Sequence, residues 1–95
     1  MIREHICTVL SNEWVNDQYK QLVLAVPSLA LQAQAGQFFQ LLCPQTAGLP
    51  PFFRRPMSIY RIDRERGQLY FLYKITGVGT TTLSYLKRDE TLDIF

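Results

Sequence analysis

The chain has 95 residues, of which 47% are hydrophobic and 19% charged, and its formal net charge is +2. This balance is typical of one small globular domain with a single core, and it excludes a disordered tail. The slight positive charge gives no support for binding to nucleic acid or to an anionic membrane. No apolar run approaches the ~20 residues of a membrane-spanning helix and the N-terminus lacks a secretory signal, so we expect a cytoplasmic protein.

Cys7, Cys43 and His5 are the only cysteines and histidine of the chain. The cysteines suit a reduced compartment, in which each fills space in the core, and a disulfide between them is the less favoured alternative. These side chains are too few for a metal site built from Cys and His. We therefore predict no such site.

The first predicted strand runs over residues 2–10, where β-branched and apolar residues are mixed with polar ones. Ser11 and Asn12 supply turn chemistry directly after it. Trp14 and Val15 follow in a loop or tight turn. We expect both of these side chains to pack onto the core.

Two more strands are predicted before the middle of the chain. Residues 19–26 alternate apolar and polar side chains, which favours a half-buried strand over a helix. Residues 27–35 predict a loop with about one helical turn. The third strand spans residues 37–43, after Gly36, and a loop with one glycine and two prolines follows over residues 45–51.

The second half of the chain predicts three further strands and one short helix. The fourth strand spans residues 57–62, the fifth spans 69–75, and the charged turn at 63–67 ends in glycine, which indicates a hairpin. Apolar spacing over residues 83–87 predicts about two helical turns. The sixth strand spans 91–95 and ends without a closing turn, so we expect this chain to be the front part of a longer protein. The whole pattern indicates an all-β sandwich or barrel.

The first motif with chemical potential is Arg54-Arg55-Pro56-Met57-Ser58. Pro56 restricts Arg55 to extended conformations, so residues 55 to 58 enter a strand. Arg55 and Met57 then share one strand face, and Pro56 and Ser58 the other. The planar donors of an arginine suit a phosphate, and a serine hydroxyl suits a ring nitrogen or a carbonyl. The alternative interpretation is a strand start with a surface arginine.

The second motif is Gly77-Val78-Gly79-Thr80, which follows a strand and opens a helix. Glycines allow a close approach of the backbone to a ligand, and free N–H groups at a helix start favour an anion. The motif is neither a Walker loop nor the dinucleotide fingerprint, since no Gly-Lys-Ser/Thr and no third glycine follow. The alternative interpretation is a strand-to-helix turn capped by a threonine hydroxyl. If the fourth and fifth strands pair as a hairpin, Arg55 and the helix start could flank one pyrophosphate.

These motifs belong to a longer ordered series. It comprises Gly36-Gln37-Phe38, Arg55-Pro56-Met57-Ser58, Leu72-Tyr73-Lys74, Gly77-Val78-Gly79-Thr80, Leu83-Ser84-Tyr85-Leu86 and Leu92-Asp93-Ile94. The series resembles the flavin-binding domain of the ferredoxin–NADP reductase family. More narrowly, it is similar to the electron-transfer (FAD/iron–sulfur) subunits of class 1B dihydroorotate dehydrogenases. The resemblance covers essentially all 95 residues in order.

The resemblance implies an all-β fold, namely a six-stranded antiparallel Greek-key barrel with one short capping helix, which binds FAD. It implies that Arg55 pairs with the pyrophosphate and that Ser58 lies near N5 of the isoalloxazine. The wider family has an aromatic residue where this chain has Met57, whose thioether can still pack against a flavin face. The implied cofactor-binding residues are Arg55, Pro56, Met57, Ser58, Leu72, Tyr73, Lys74, Gly79 and Thr80. Of these, Gly79 and Thr80 would act through their backbone amides.

The resemblance also implies a function. In that family FAD accepts a hydride from a nicotinamide bound by a C-terminal domain, and in the dihydroorotate subgroup a [2Fe–2S] cluster relays electrons to an FMN-containing catalytic subunit of a heterotetramer. The chain would then be an electron-transfer module between NAD(H) and dihydroorotate dehydrogenase in pyrimidine biosynthesis. Residues 1–95 would be the FAD-binding domain only, without the NAD-binding and iron–sulfur parts. We expect no catalytic residue and no metal ligand in them, and no catalytic competence of this part alone.

Other functions remain open at this point. Within the same class, the chain could belong to a flavin reductase subunit of a sulfide dehydrogenase, a hydrogenase or a glutamate synthase-like complex. A different class is a small β-barrel that binds single-stranded nucleic acid or a protein partner through aromatic and basic side chains. The residues that come near that pattern are Arg54, Arg55, Tyr60, Arg61, Arg64 and Arg66, although the modest net charge and the Gly-Val-Gly-Thr turn oppose it. The third alternative is a structural barrel without a ligand.

Overall fold

The computed structural model describes residues 4–44 and 54–95, and within them six strands form a closed antiparallel barrel. The elements are β1 (His5–Trp14), β2 (Tyr19–Ala25), β3 (Phe38–Leu42), β4 (Arg54–Asp63), β5 (Gln68–Lys74), α1 (Val78–Ser84) and β6 (Thr91–Ile94), with a 3-10 helix at Ser28–Gln32. The strands follow one another around the barrel in the order β1-β2-β5-β4-β3-β6. This order confirms the predicted Greek-key barrel with one short α-helix. The predicted loop over residues 45–51 lies outside the described residues, as does the start of the predicted first strand.

Strand β1 continues past the predicted turn at Ser11 and Asn12 because it contains a bulge. Its pairing with β2 runs from Val9 opposite Leu24 to Ser11 opposite Val23, so Leu10 is an extra residue. A bulge lets a strand continue while it changes the face to which later side chains point. Turn-forming residues such as Ser11 and Asn12 are tolerated next to a bulge. The prediction that the first strand ends at residue 10 was therefore wrong.

The expectation that Trp14 and Val15 pack onto the core was also wrong. Trp14 is 56% exposed and Val15 52% exposed. They lie at the tip of the β1–β2 hairpin, where Asn16 Oδ1 accepts hydrogen bonds from the backbone N–H groups of Gln18 and Tyr19. The hairpin extends past the end of the barrel, so its tip has no core beneath it.

Helix α1 begins earlier than the apolar spacing predicts. It covers Val78–Ser84 rather than residues 83–87, and the chain leaves the helix at Tyr85. The start is fixed by hydrogen bonds of Thr80 and Thr81 to the backbone of Gly77. The position of the helix start is therefore determined by hydroxyl groups in the first turn and not by the spacing of the later leucines.

The core fills the barrel from one end to the other. Phe71 is the largest fully buried side chain among the described residues and meets Phe39 edge to face, with ring centroids 6.5 Å apart. Cys7 and Cys43 are both buried and free, which confirms their predicted role in the core. The fully buried side chains are Cys7, Val9, Leu22, Leu24, Leu41, Leu69, Phe71, Leu83 and Ile94. Among the described helices, none is long and apolar enough to cross a membrane.

Two buried titratable groups predict how stability depends on pH. Burial, reinforced by the charge of Asp93, raises the pKa of the Cys7 thiol from 9.0 to about 12. Burial raises the pKa of the Tyr73 hydroxyl from 10.0 to about 12, although its hydrogen bond to Asn12 opposes the shift. The folded protein therefore holds protons that the unfolded chain loses first. This contribution to stability is complete below the unfolded pKa values and is lost as pH rises through the folded ones.

We predict that the free energy of unfolding falls between about pH 9 and pH 12, by up to about 1.4 kcal/mol for each unit of pKa shift. Guanidinium chloride titrations across this range measure it. Cys7→Ala and Tyr73→Phe should each make the fall less steep, since each removes one of the two groups. A stability that is unchanged or higher at alkaline pH would contradict the burial of these two groups.

Candidate functional site

Strand β4 changes its pairing partner halfway along. Its first half pairs with β3, from Arg54 opposite Leu42 to Ser58 opposite Phe38. Its second half pairs with β5, and that pairing begins where Ile59 faces Phe71. The start of β4 and the end of β5 therefore separate, and a gap opens between these two described strands.

The two sequence motifs border this gap. If the register of Ile59 and Phe71 continued, Ser58 would face Leu72, and Met57 would face Tyr73. Helix α1 follows β5 after three residues and contacts β4. The barrel thus brings the residues around Ser58, those around Leu72 and the Gly-Val-Gly-Thr turn to one region.

Residues 56–58 of the first motif alternate faces as the sequence predicts, but Arg55, which is predicted to share the face of the buried Met57, is exposed. Met57 lies inside the barrel at 8% exposure and belongs to the core cluster, opposite Phe39. Pro56 and Ser58 point outward and are exposed. The Ser58 hydroxyl forms no hydrogen bond with any described residue, so it is free to bind a ligand.

The adjacent arginines have different environments. Arg54 donates a hydrogen bond of 3.0 Å to Asp93 Oδ1 and one of 3.3 Å to the carbonyl of Gln40, and its guanidinium lies 4.1 Å from the centre of the Phe95 ring. Arg55 is exposed, and no residue in the described ranges accepts a hydrogen bond from it. Burial raises the pKa of the Cys43 thiol and the charge of Arg55 opposes that shift, which places the guanidinium near Cys43, directly after β3. Arg54 holds the barrel together, whereas Arg55 is available to an anion.

On β5, the three predicted residues divide between the two faces. Leu72 and Lys74 point outward and are exposed. Tyr73 is 4% exposed and points inward, where its hydroxyl donates a 2.7 Å hydrogen bond to Asn12 Oδ1. Only the backbone of Tyr73 can therefore meet a ligand outside the barrel, and its aromatic ring belongs to the core.

The helix start confirms the capping role of Thr80. Its hydroxyl oxygen accepts hydrogen bonds from the N–H groups of Thr76, at 2.8 Å, and Gly77, at 3.1 Å. This hydroxyl is therefore not free for a phosphate. The backbone N–H groups of Val78, Gly79 and Thr80, in contrast, have no acceptor among residues 4–44 and 54–95. Unpaired N–H groups at a helix start attract negative charge.

Gly77 is not required by the fold itself. Its backbone is extended, with φ at −178°, which other residues also adopt. A Cβ built on it would meet no atom within 4 Å. The first glycine of the motif therefore leaves room on the outside of the helix start.

The basic side chains that suggested nucleic-acid binding are largely engaged within the protein. Arg61 stacks on Tyr70, with 5.0 Å between the guanidinium carbon and the ring centre. Arg64 donates hydrogen bonds to the carbonyls of Leu31 and Ala33, at 3.2 and 2.9 Å. With Arg54 also paired, three of the six side chains in that pattern are engaged, whereas Arg55, Tyr60 and Arg66 are exposed.

Sequence reasoning missed Asn12, which connects the gap to the far end of helix α1. Its side chain bonds to Tyr73, to the carbonyl of Leu83 in the last turn of α1 and to that of Leu86, two residues after the helix. The dipeptide Ser11-Asn12 predicts a turn. It is the bulge at Leu10 that turns the side chain of Asn12 inward. No local signal in the sequence indicates that bulge.

Comparison with characterised proteins gives clear relatives. The chain is 36% identical over 94 residues to the electron transfer subunit of dihydroorotate dehydrogenase B (NAD(+)) from Streptococcus pneumoniae, a match that covers 99% of this chain and 35% of that protein. By sequence, the chain is similar to these electron transfer subunits. The same subunit from Bacillus cereus (strain G9842) is 29% identical over 94 residues, with 99% and 36% coverage. The chain thus spans about a third of the length of its relatives, and no protein-family model matches it.

Solved structures show the same barrel. The NADH-dependent reduced ferredoxin-NADP oxidoreductase, studied for flavin-based electron bifurcation, superposes with a TM-score of 0.79 at 20% identity, covering 94% of this chain and 32% of that one. A ferredoxin NADP+ reductase from Neisseria gonorrhoeae with bound FAD and NADP gives 0.73 at 14% identity, covering 99% and 37%. The siderophore-interacting protein SipS from Aeromonas hydrophila gives 0.77 at 22% identity, covering 97% and 44%. The fold is therefore that of the ferredoxin reductase-like barrels.

The different environments of the two arginines predict opposite effects on stability. Arg54→Ala should lower the free energy of unfolding by about 1–3 kcal/mol, because it leaves Asp93 without its partner. Arg55→Ala should change it by no more than about 0.5 kcal/mol, as is usual for an exposed side chain. Denaturant titration of both variants makes the comparison. An equal decrease in the free energy of unfolding for both variants would show that Arg55 also stabilises the fold.

Proposed function

We propose that this chain is the FAD-binding module of an electron-transferring oxidoreductase, with the flavin held at the gap between β4 and β5. The observation that carries the proposal is that β4, which bears the exposed guanidinium of Arg55, contacts α1, whose first N–H groups have no acceptor among the described residues. The electron transfer subunits among its relatives and the FAD-bound reductase among the similar structures support it. When bound, FAD supplies the capacity to take up a hydride and to pass on single electrons.

The pyrophosphate is the part of FAD that these residues suit best. A guanidinium can bind two phosphate oxygens at once, and Arg55 has no other described partner for its donors. Gly79 and Thr80 are buried in the first turn of α1, where free N–H groups carry the positive end of the helix dipole. Gly79 and Thr80 would therefore act through their backbone, since the Thr80 hydroxyl already caps the helix.

The outer faces of the two separating strands would hold the isoalloxazine. Ser58, with its free hydroxyl, is placed to bond to N5, and Pro56 and Leu72 offer apolar surface beside it. Lys74 lies further along the same face as Leu72. Tyr73 would contribute its backbone, and Met57 would support the strand from inside the barrel rather than stack on the ring.

The longer protein would transfer electrons between NAD(H) and a dihydroorotate dehydrogenase. The partner would be an FMN-containing catalytic subunit in a heterotetramer that serves pyrimidine biosynthesis in the cytoplasm. This proposal rests on the relatives at 36% and 29% identity. The NAD(H) site and a [2Fe–2S] cluster would lie in parts outside these 95 residues, because Cys7 and Cys43 are buried in the core as free thiols.

We predict that Arg55→Ala weakens FAD binding roughly ten- to a hundredfold while the fold is retained. The lost charged contact is worth about 1.5–3 kcal/mol. Titration of FAD with the protein, followed by flavin fluorescence, measures the dissociation constant. Arg66→Ala is the matched control, because Arg66 is an exposed arginine in the turn that joins β4 to β5 and lies at the opposite end of the paired segment.

The control variant should bind FAD like the parent. If Arg55→Ala also binds FAD as tightly as the parent, Arg55 does not hold the pyrophosphate. If the parent does not bind FAD at all, the flavin proposal itself is wrong for this chain.

A further inference from the structure

Asn12 is half-buried and faces α1 and β5 because β1 contains a bulge. Without the extra residue Leu10, the inward positions of β1 would continue from Cys7 and Val9 to residue 11, and Asn12 would point outward. With the bulge, Asn12 faces Leu22, which is fully buried. A polar amide is thereby placed beneath helix α1.

The amide of Asn12 has its full set of strong partners. Nδ2 donates to the carbonyl of Leu83 at 2.8 Å and to that of Leu86 at 3.1 Å, while Oδ1 accepts from the Tyr73 hydroxyl at 2.7 Å. The two carbonyls can only accept hydrogen bonds, so the amide has one possible orientation. One side chain of β1 therefore links the end of α1 to β5.

A second side chain strengthens the same end of the helix. Lys20 of β2 is 8% exposed, and its Nζ donates to the carbonyl of Ser84 at 2.9 Å. The Trp14 ring covers this ammonium group, with 5.3 Å to the ring centre. The last carbonyls of α1 are thus held by the barrel, and the helix cannot slide along it without breaking these bonds.

We infer that Asn12 is a positioning residue for the start of α1, the segment that is proposed above to bind the pyrophosphate. The helix has seven residues, about 10 Å in length, so a shift at its end displaces its start as well. Asn12 bonds simultaneously to the end of this helix and to Tyr73, whose backbone borders the gap. It therefore fixes the N–H groups of residues 78–80 relative to residues 72–74. This inference rests on the proposed binding of FAD.

The test is Asn12→Asp, with Asn16→Asp as its matched control. At position 12 the substitution keeps the size and the acceptor for Tyr73, but it places an oxygen where two carbonyls need a donor. At position 16 the side chain only accepts hydrogen bonds, from the N–H groups of Gln18 and Tyr19, so an aspartate keeps both. FAD, ADP and riboflavin are titrated with each protein at a temperature at which circular dichroism shows it folded.

We expect Asn12→Asp to weaken binding of FAD and ADP at least tenfold, and that of riboflavin less than threefold, because riboflavin has no phosphate. Asn16→Asp should bind all three as the parent does. Equal weakening of all three ligands by Asn12→Asp would overturn the inference, because it would show a general loss of structure. If Asn12→Asp does not fold, Tyr73→Phe removes one bond of the network, and the same selective loss is expected from it, smaller in size.

The outcomes separate this inference from the proposed function. A parent that binds FAD together with an Asn12→Asp variant that binds it equally well would overturn the positioning role alone. A parent that binds neither FAD nor ADP would overturn the proposed function, and the positioning role with it.

Discussion

The exchange of partners by β4 at Ile59 determines the rest of this structure. One strand has to pair with β3 at its start and with β5 at its end, because the barrel closes only if β4 bridges them. Before Ile59, the backbone of β4 has no partner among the described strands on the side of β5, and after Phe71 the backbone of β5 has none on the side of β4. The missing pairing between these two segments is the gap. A ligand with hydrogen-bonding edges can occupy such a place, since unpaired backbone groups there are otherwise left to water. The candidate site is thus a direct result of the way in which the barrel closes.

Two bulges adjust side chains to this geometry. The bulge in β4 makes Tyr60 the extra residue, so Ile62 returns to the core after Arg61 has pointed outward. The bulge in β1 has the opposite use, because it turns a polar residue, Asn12, inward. A polar side chain in a barrel interior is costly unless every donor and acceptor is satisfied. Here the end of helix α1 supplies the partners, so the cost of burying the amide is offset by docking the helix.

Much of the fold could be predicted from the sequence, because the strands alternate with period two and glycine marks the β4–β5 turn. The division of faces over residues 56–58 also followed from alternation, whereas the exposure of Arg55 did not. The errors arose where a distant partner decides the outcome. Trp14 looks like a core residue by composition, yet it lies on a hairpin that passes beyond the barrel.

The site was predictable in outline but not in detail. Arg54 and Arg55 are identical in type and adjacent, and only Asp93, 39 residues further along, makes one of them structural. The contacts of Asn12 with Leu83 and Leu86 span 71 and 74 residues. Local patterns contain no information about such pairs. The resemblance of ordered motifs to flavin-binding domains provided what periodicity could not, and the relatives at 36% and 29% identity agree with it.

The most direct measurement is an NMR titration of the ¹⁵N-labelled chain with FAD, in which the amide shifts locate the ligand on the barrel. We predict saturable shifts concentrated at residues 55–58, 72–74 and 78–80, with little change at the β1–β2 tip around Asn16. Shifts that saturate elsewhere on the barrel, or no saturable shift at all, would contradict the assignment of the gap between β4 and β5 as a flavin site.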